Sequence, residues 1–262
     1  GDYSRPVLHH RSGARIRVSY RVTSAYDADP GFSYEKGRPI VRPGWFFVHG
    51  ESVFAIPQGR EGAPASFRWG RFPSAWKVAS DLDHLKDWRT TVVNIVDSVA
   101  IGGPDLVVIR RTVGRAPLRI ATRGQWSFTP EALADSVEKI VRAEDAFWGD
   151  ESTPFLVAMA PLGHLSSGLM TTGTGRTDAF SIASTDAFEL ATAKRFLAHE
   201  YMHSWMPEAL GLMPRSNEAV DYWLSEGFSD FLASRILLRS GLWSLEDYAG
   251  DKNDTLLRYA MS

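Results

Sequence analysis

The chemistry in this chain begins with His199-Glu200-Tyr201-Met202-His203, two histidines separated by four positions. The surrounding apolar spacing predicts a helix from about Ala187 to Met206, ending before Pro207. On a helix that spacing puts both imidazoles on one face, about one turn apart, where they can hold a single ion. Neutral imidazoles suit zinc, and a catalytic zinc takes three protein ligands and leaves its fourth position open. The expected third ligand is Glu226, in Trp223-Leu224-Ser225-Glu226-Gly227-Phe228. It lies on a second helix, read from about Glu218 to Ser240, which follows a turn long enough to double back beside the first. Glu200 neighbours a ligand but points off the metal, so it is the expected general base. It takes a proton from the metal-activated water and can return it to the leaving amine. Asp230, four residues after Glu226, is placed to accept the second ring N–H of a ligand histidine. Such a set, with one zinc per chain, hydrolyses amides.

Other elements must position these residues. Thr129, Pro130 and Glu131 supply an N-cap, a proline at the first helical position and an acidic first turn. The helix that follows repeats Leu133, Val137, Ile140, Val141 and Phe147 at helical spacing as far as Gly149, an apolar face that must pack on a sheet. Pro154 to Ala160 reads as a short buried strand, and Gly163 to Thr177 as a loop rich in Gly, Ser and Thr. Ala179 to Ala183 reads as another strand, with Ser184 to Asp186 capping the metal-binding helix. Ser244 and Asp247 open a third helix. Earlier in the chain, Ala14 to Val22, Trp45 to Ala55, Leu106 to Thr112 and Leu118 to Thr122 read as extended. Strands first and helices last predict an α+β catalytic domain behind a β-rich segment.

Composition limits the partners. Hydrophobic residues make up 44% and charged residues 23% of the 262 positions, ordinary values for a folded protein. A net charge of -2 offers no broad attraction for nucleic acid, and no run is long and apolar enough to span a bilayer. The absence of cysteine excludes disulfides and thiolate metal sites but fits cytoplasm, periplasm or secretion equally. Gly1 in place of a methionine reads as a processed or cut start, compatible with a removed targeting segment. His9, His10, His49, His84 and His164 are scattered and read as surface or structural groups, with His164 alone able to approach a substrate. Trp205 and Trp223, flanking the two motifs, read as core packing.

Taken together, His199 to Trp205 and Trp223 to Ser229 resemble the paired motifs of the glycyl aminopeptidase family, relatives of the large zinc aminopeptidases. The resemblance implies a thermolysin-like catalytic domain over residues 89–262, cut short at its C-terminal end, behind residues 1–88 as part of a β-rich N-terminal domain. It also implies zinc on His199, His203 and Glu226, with Glu200 as base and a peptide or protein as substrate. In that family a strand before the active-site helix carries a glutamate that holds the substrate's free amine. The corresponding stretch here, Ser166 to Gly173, has no acid. Endopeptidase or altered specificity therefore stands beside aminopeptidase activity. The family's downstream oxyanion tyrosine is missing too, since Tyr248 and Tyr259 come early and read as structural. Two rival readings are a zinc-containing module that binds peptides without turnover and a metal-free structural protein.

Overall fold

The computed structural model describes residues 7–150, 153–206 and 222–261. Its first sheet is built from β1 (Ile40–Arg42), β2 (Trp45–His49), β4 (Lys77–Ser80) and β6 (Val99–Gly103), in the order β1-β2-β6-β4, all antiparallel. A two-stranded ribbon of β3 (Pro64–Ser66) and β5 (Arg89–Thr91) lies outside it, with short helical turns α1 (Gly50–Val53) and α2 (Val92–Val96). β6, an inner strand of the first sheet, lies beyond the boundary drawn at residue 88.

The second sheet contains β7 (Val107–Val113), β8 (Ala116–Thr122), β9 (Phe155–Pro161), β10 (Thr171–Arg176) and β11 (Ala179–Ser184) in the order β10-β11-β9-β8-β7. β9 runs parallel to both neighbours, so β8 must be joined to it by a crossover, which α3 (Pro130–Trp148) supplies. Two helices of the site follow, α4 (Leu190–Met202) and α5 (Ser229–Arg239), and then α6 (Leu245–Met261). The fold is thus mixed α/β, with several sheets.

Strand periodicity divides the second sheet between two cores. On β9, Leu156, Ala158 and Ala160 face the first sheet and pack with Ile40, Phe47, Val99 and Ile101. Phe155, Val157 and Met159 face the other way, against Leu133 and Val137 of α3, Leu197 and Tyr201 of α4, and Ile236 of α5. A strand buried on both faces needs an unbroken apolar run, which is why Phe155 to Ala160 shows no alternation. The face toward the first sheet is largely alanine, which allows the two sheets to close on each other.

Most of the helical expectations hold. Thr129 Oγ1 accepts from the Ala132 N–H at 3.1 Å, and Gly149 ends α3 at φ 69°, a left-handed position a glycine takes without strain. Ser244 and Asp247 cap α6 reciprocally, with Ser244 N–H donating to Asp247 Oδ2 at 2.8 Å and Asp247 N–H to Ser244 Oγ at 3.1 Å. Four expectations need correction. Ala14 to Val22 pairs with no strand among the described residues, and Ile16, Val18 and Tyr20 stay exposed: alternation without a partner edge does not make a sheet. Trp45 to Ala55 stops being a strand at His49, because Gly50 turns into α1 where a Cβ would lie 1.9 Å from the Ile95 carbonyl oxygen. Ser184 belongs to β11, so α4 starts later, after Glu189, with no side-chain cap. The fourth is β10, which forms inside the stretch read as a loop. The opening residues of the second helix, 218–221, lie outside the described residues.

Between the two sheets His49 is 2% exposed, its Nε2 2.8 Å from Ser181 Oγ. Burial, assisted by the charges of Arg176 and Lys36, lowers its pKa from 6.5 to about 3. Between those values the unfolded chain takes up a proton that the folded chain refuses, so His49 costs stability as pH falls below about 6.5, at about 1.4 kcal/mol per pH unit. Asp81, pushed up to about 7 by burial, has the opposite sign, losing stability as pH rises through that range. His49→Gln removes only the first effect. Between pH 7.5 and 5 the unfolding free energy of the variant is therefore expected to gain about 2 kcal/mol relative to wild type, read from urea midpoints; a constant difference would show that His49 titrates normally when folded.

Candidate metal centre

α4 ends in the histidine pair, and the two rings sit edge to face with centroids 4.7 Å apart. Each ring is oriented through its Nδ1. That of His199 is 2.9 Å from Asp230 Oδ1, and that of His203 is 2.8 Å from the Met206 carbonyl oxygen. A carbonyl can only accept, so His203 Nδ1 carries the proton, and the carboxylate of Asp230 selects the same tautomer at His199. In both rings this turns Nε2 toward Glu226.

Glu226 arrives there from a π-helical turn, Trp223–Phe228, that runs directly into α5. Its Oε2 is 3.1 Å from His199 Nε2 and its Oε1 is 3.9 Å from His203 Nε2. One ligand atom from each of the three residues falls within 4.8 Å of the others. Zinc arms of about 2.0–2.1 Å at tetrahedral angles make edges of about 3.4 Å, so the spacing and the donor types both fit zinc. The structure brings together His199, His203, Glu226 and Asp230, the four residues the sequence singled out as a candidate metal-binding set.

The electrostatics reflect this crowding. Burial opposes a charge on His199, but its hydrogen bonds to Asp230 and Glu226 prevail and raise its pKa to about 9. Burial lowers that of His203. The hydrogen bond with His199 holds Glu226 below the usual carboxylate range. Glu200 is 7% exposed, and burial raises its pKa to about 7 against the lowering fields of His199 and Lys36.

The wall facing Glu200 is the strand that sequence reading missed. Among the described residues β10 is the edge of the second sheet, paired with β11 alone, and it runs against α4. A Cβ on Gly173 would lie 2.0 Å from the Glu200 carboxyl carbon, and one on Gly175 would lie 2.8 Å from His203 Cβ. Two glycines two positions apart are thus what lets the helix carry Glu200 and His203 against backbone. Their period of two in Thr171-Thr172-Gly173-Thr174-Gly175-Arg176 was the available strand signal. Arg176, 9% exposed at its side chain, pins the end of β10 to the first sheet's connections, 2.6 Å from Glu51 and 3.2 Å from Asp97.

The remaining candidates fall elsewhere. His164 pairs with Asp186 at 2.7 Å on the surface, and His84 bonds to the Asp81 carbonyl oxygen. Trp205 is core, its indole donating to Asp150, as expected. Trp223 is not: it is 63% exposed, carried outward by the π-helical turn and touching Phe228 edge-on.

The fold is similar to that of zinc metallopeptidase structures. An aminopeptidase N family protein from Idiomarina loihiensis matches with a TM-score of 0.66 at 16% identity, over 80% of this chain and 40% of that one. An M1 zinc metallopeptidase from Deinococcus radiodurans matches with a TM-score of 0.51 at 16% identity, over 89% of this chain and 55% of that one. The chain therefore spans about half the length of these relatives or less. Residues 192–262 match the profile of the M61 glycyl aminopeptidase family. The resemblance read from the two motifs is borne out over that segment, which holds every ligand of the cluster. No curated protein gives a significant match.

Because the glycine contact is steric, Gly173→Ala is expected to lower stability by about 1–3 kcal/mol. Alanine at Gly62, where nothing lies within 4 Å of the new Cβ, is expected to change it by less than about 1 kcal/mol. Denaturant midpoints of the two variants measure the difference.

Proposed function

We propose that this chain hydrolyses peptide bonds with the help of one zinc ion held by His199, His203 and Glu226, with Glu200 as general base and Asp230 fixing His199. The observation that carries the reading is the convergence of two tautomer-locked imidazoles and a carboxylate beside a buried glutamate that faces bare backbone. Zinc bound there supplies Lewis-acid polarisation of the scissile carbonyl and lowers the pKa of the attacking water. Glu200 accepts the proton of that water on its carboxylate and passes it to the leaving nitrogen. Gly173, having no Cβ, leaves the space against β10 in which the Glu200 carboxylate lies.

The second sheet with α3, α4 and α5 is the part that corresponds to a thermolysin-like catalytic unit, and the first sheet is the β-rich segment in front of it. Among the described residues β10, whose Gly173 lies against Glu200, has one edge without a strand partner, and an extended peptide can add to such an edge through main-chain hydrogen bonds. No acid stands between Ser166 and Gly173 to receive a free amine, which supports cleavage with relaxed or internal position preference over strict removal of N-terminal residues. The substrate is a peptide or protein. The net charge of -2 gives no support to nucleic acid, and no described helix is long and apolar enough to cross a membrane.

Glu200→Gln tests the assignment directly. One zinc per chain is expected in wild type and variant, with cleavage of a mixed peptide library reduced at least about 100-fold in the variant. Retained cleavage would remove Glu200 from the mechanism, and zinc without cleavage in wild type would favour a binding module. Sequencing the products separates cuts at free N-termini from internal ones.

A further inference from the structure

Asp230, which orients His199, is itself held by another residue. Arg195 lies one helical turn before His199 on α4, and its Nη2 donates to Asp230 Oδ2 while Asp230 Oδ1 faces His199 Nδ1. The two oxygens of one carboxylate are thus divided between the guanidinium and the imidazole. The other side of Arg195 meets α6: Nε is 3.3 Å from Asp251 Oδ1, an ion-pair contact without good hydrogen-bond alignment. Asp251 is in turn bridged by Lys252, whose ammonium lies 3.1 Å from Asp251 Oδ2 and 2.6 Å from Ser234 Oγ on α5.

We infer that Arg195, braced by Asp251, is a positioning residue for the metal ligand His199, acting through Asp230. The exposure gradient gives the reason. The Asp230 side chain is 40% exposed, so without a second partner its carboxylate turns toward water, whereas Asp251 is 11% exposed and Arg195 26%. A planar guanidinium can face two carboxylates at once and fix both, which a lysine ammonium does less well. The chain Asp251, Arg195, Asp230, His199 therefore transmits the placement of α6 to one imidazole. α6 has no buried residue among those described, so these polar contacts do much of the work of holding it.

This inference rests on the zinc reading above, and zinc affinity separates the two. By chelator competition on the full chain, Arg195→Met is expected to weaken zinc binding about 10-fold or more, and Arg195→Lys and Asp251→Asn about 3-fold each. Asp230→Asn serves as the positive control, with a loss of about 10- to 100-fold. If Asp251 acts through Arg195, the double variant Arg195→Met with Asp251→Asn binds no worse than Arg195→Met alone. Wild-type affinity in Arg195→Met, or additive losses in the double variant, would overturn the inference while leaving the zinc site standing. Should Arg195→Met fail to fold, Arg195→Lys decides, and wild-type affinity there overturns it. A wild-type chain that binds no zinc would overturn the functional reading and this inference with it.

Discussion

Two imidazoles can be aimed at one point only if neither is free to rotate or to exchange tautomers. Helical spacing supplies the proximity of His199 and His203, but it leaves each ring with a torsional freedom that would scatter the Nε2 lone pairs. The Nδ1 contacts to Asp230 and to the Met206 carbonyl remove that freedom. Much of the surrounding structure follows from this requirement. α5 must lie beside α4 to deliver Asp230 and Glu226 together, and the α4 terminus must turn so that the Met206 carbonyl folds back toward His203.

The layers behind the site serve the same end. α4 is fixed by burying Leu197, Ala198, Tyr201 and Met202 against the second sheet, and that sheet is buried on its far side against the first. Tyr201, between Glu200 and His203, reaches across to Asp145 of α3 at 2.8 Å, tying α4 to the crossover helix. A rigid platform of this kind suits a centre in which displacements of about 1 Å matter.

Much of this was legible in the sequence, for physical reasons that differ from element to element. The ends of α3 were readable because Thr129, Pro130 and Gly149 act locally. β9 was readable because double burial leaves an uninterrupted apolar run, and the nearness of His199 to His203 because i, i+4 spacing on a helix is a local constraint. What failed was structure decided by tertiary contact. β10 looks like a loop since its glycines answer to Glu200 and His203, not to strand propensity. Ala14 to Val22 has strand-like alternation and no partner. Arg195 and Asp251 carry no motif, being joined only when α6 returns to α4.

The π-helical turn at Trp223–Phe228 also sets the register at which the chain enters α5. A π turn closes its backbone bonds from i to i+5 where an α-helix closes them from i to i+4, so it holds one residue more than the α-helix it interrupts. Removing one residue from that turn would restore ordinary α geometry and its better backbone bonding, but it would rotate everything before the deletion by about 100° relative to α5. Glu226 and Asp230 would still lie three or four positions apart on one helix face, so the residues displaced are those ahead of the turn. The extra residue therefore bears on where the chain enters α5 and on the outward placing of Trp223, which is 63% exposed.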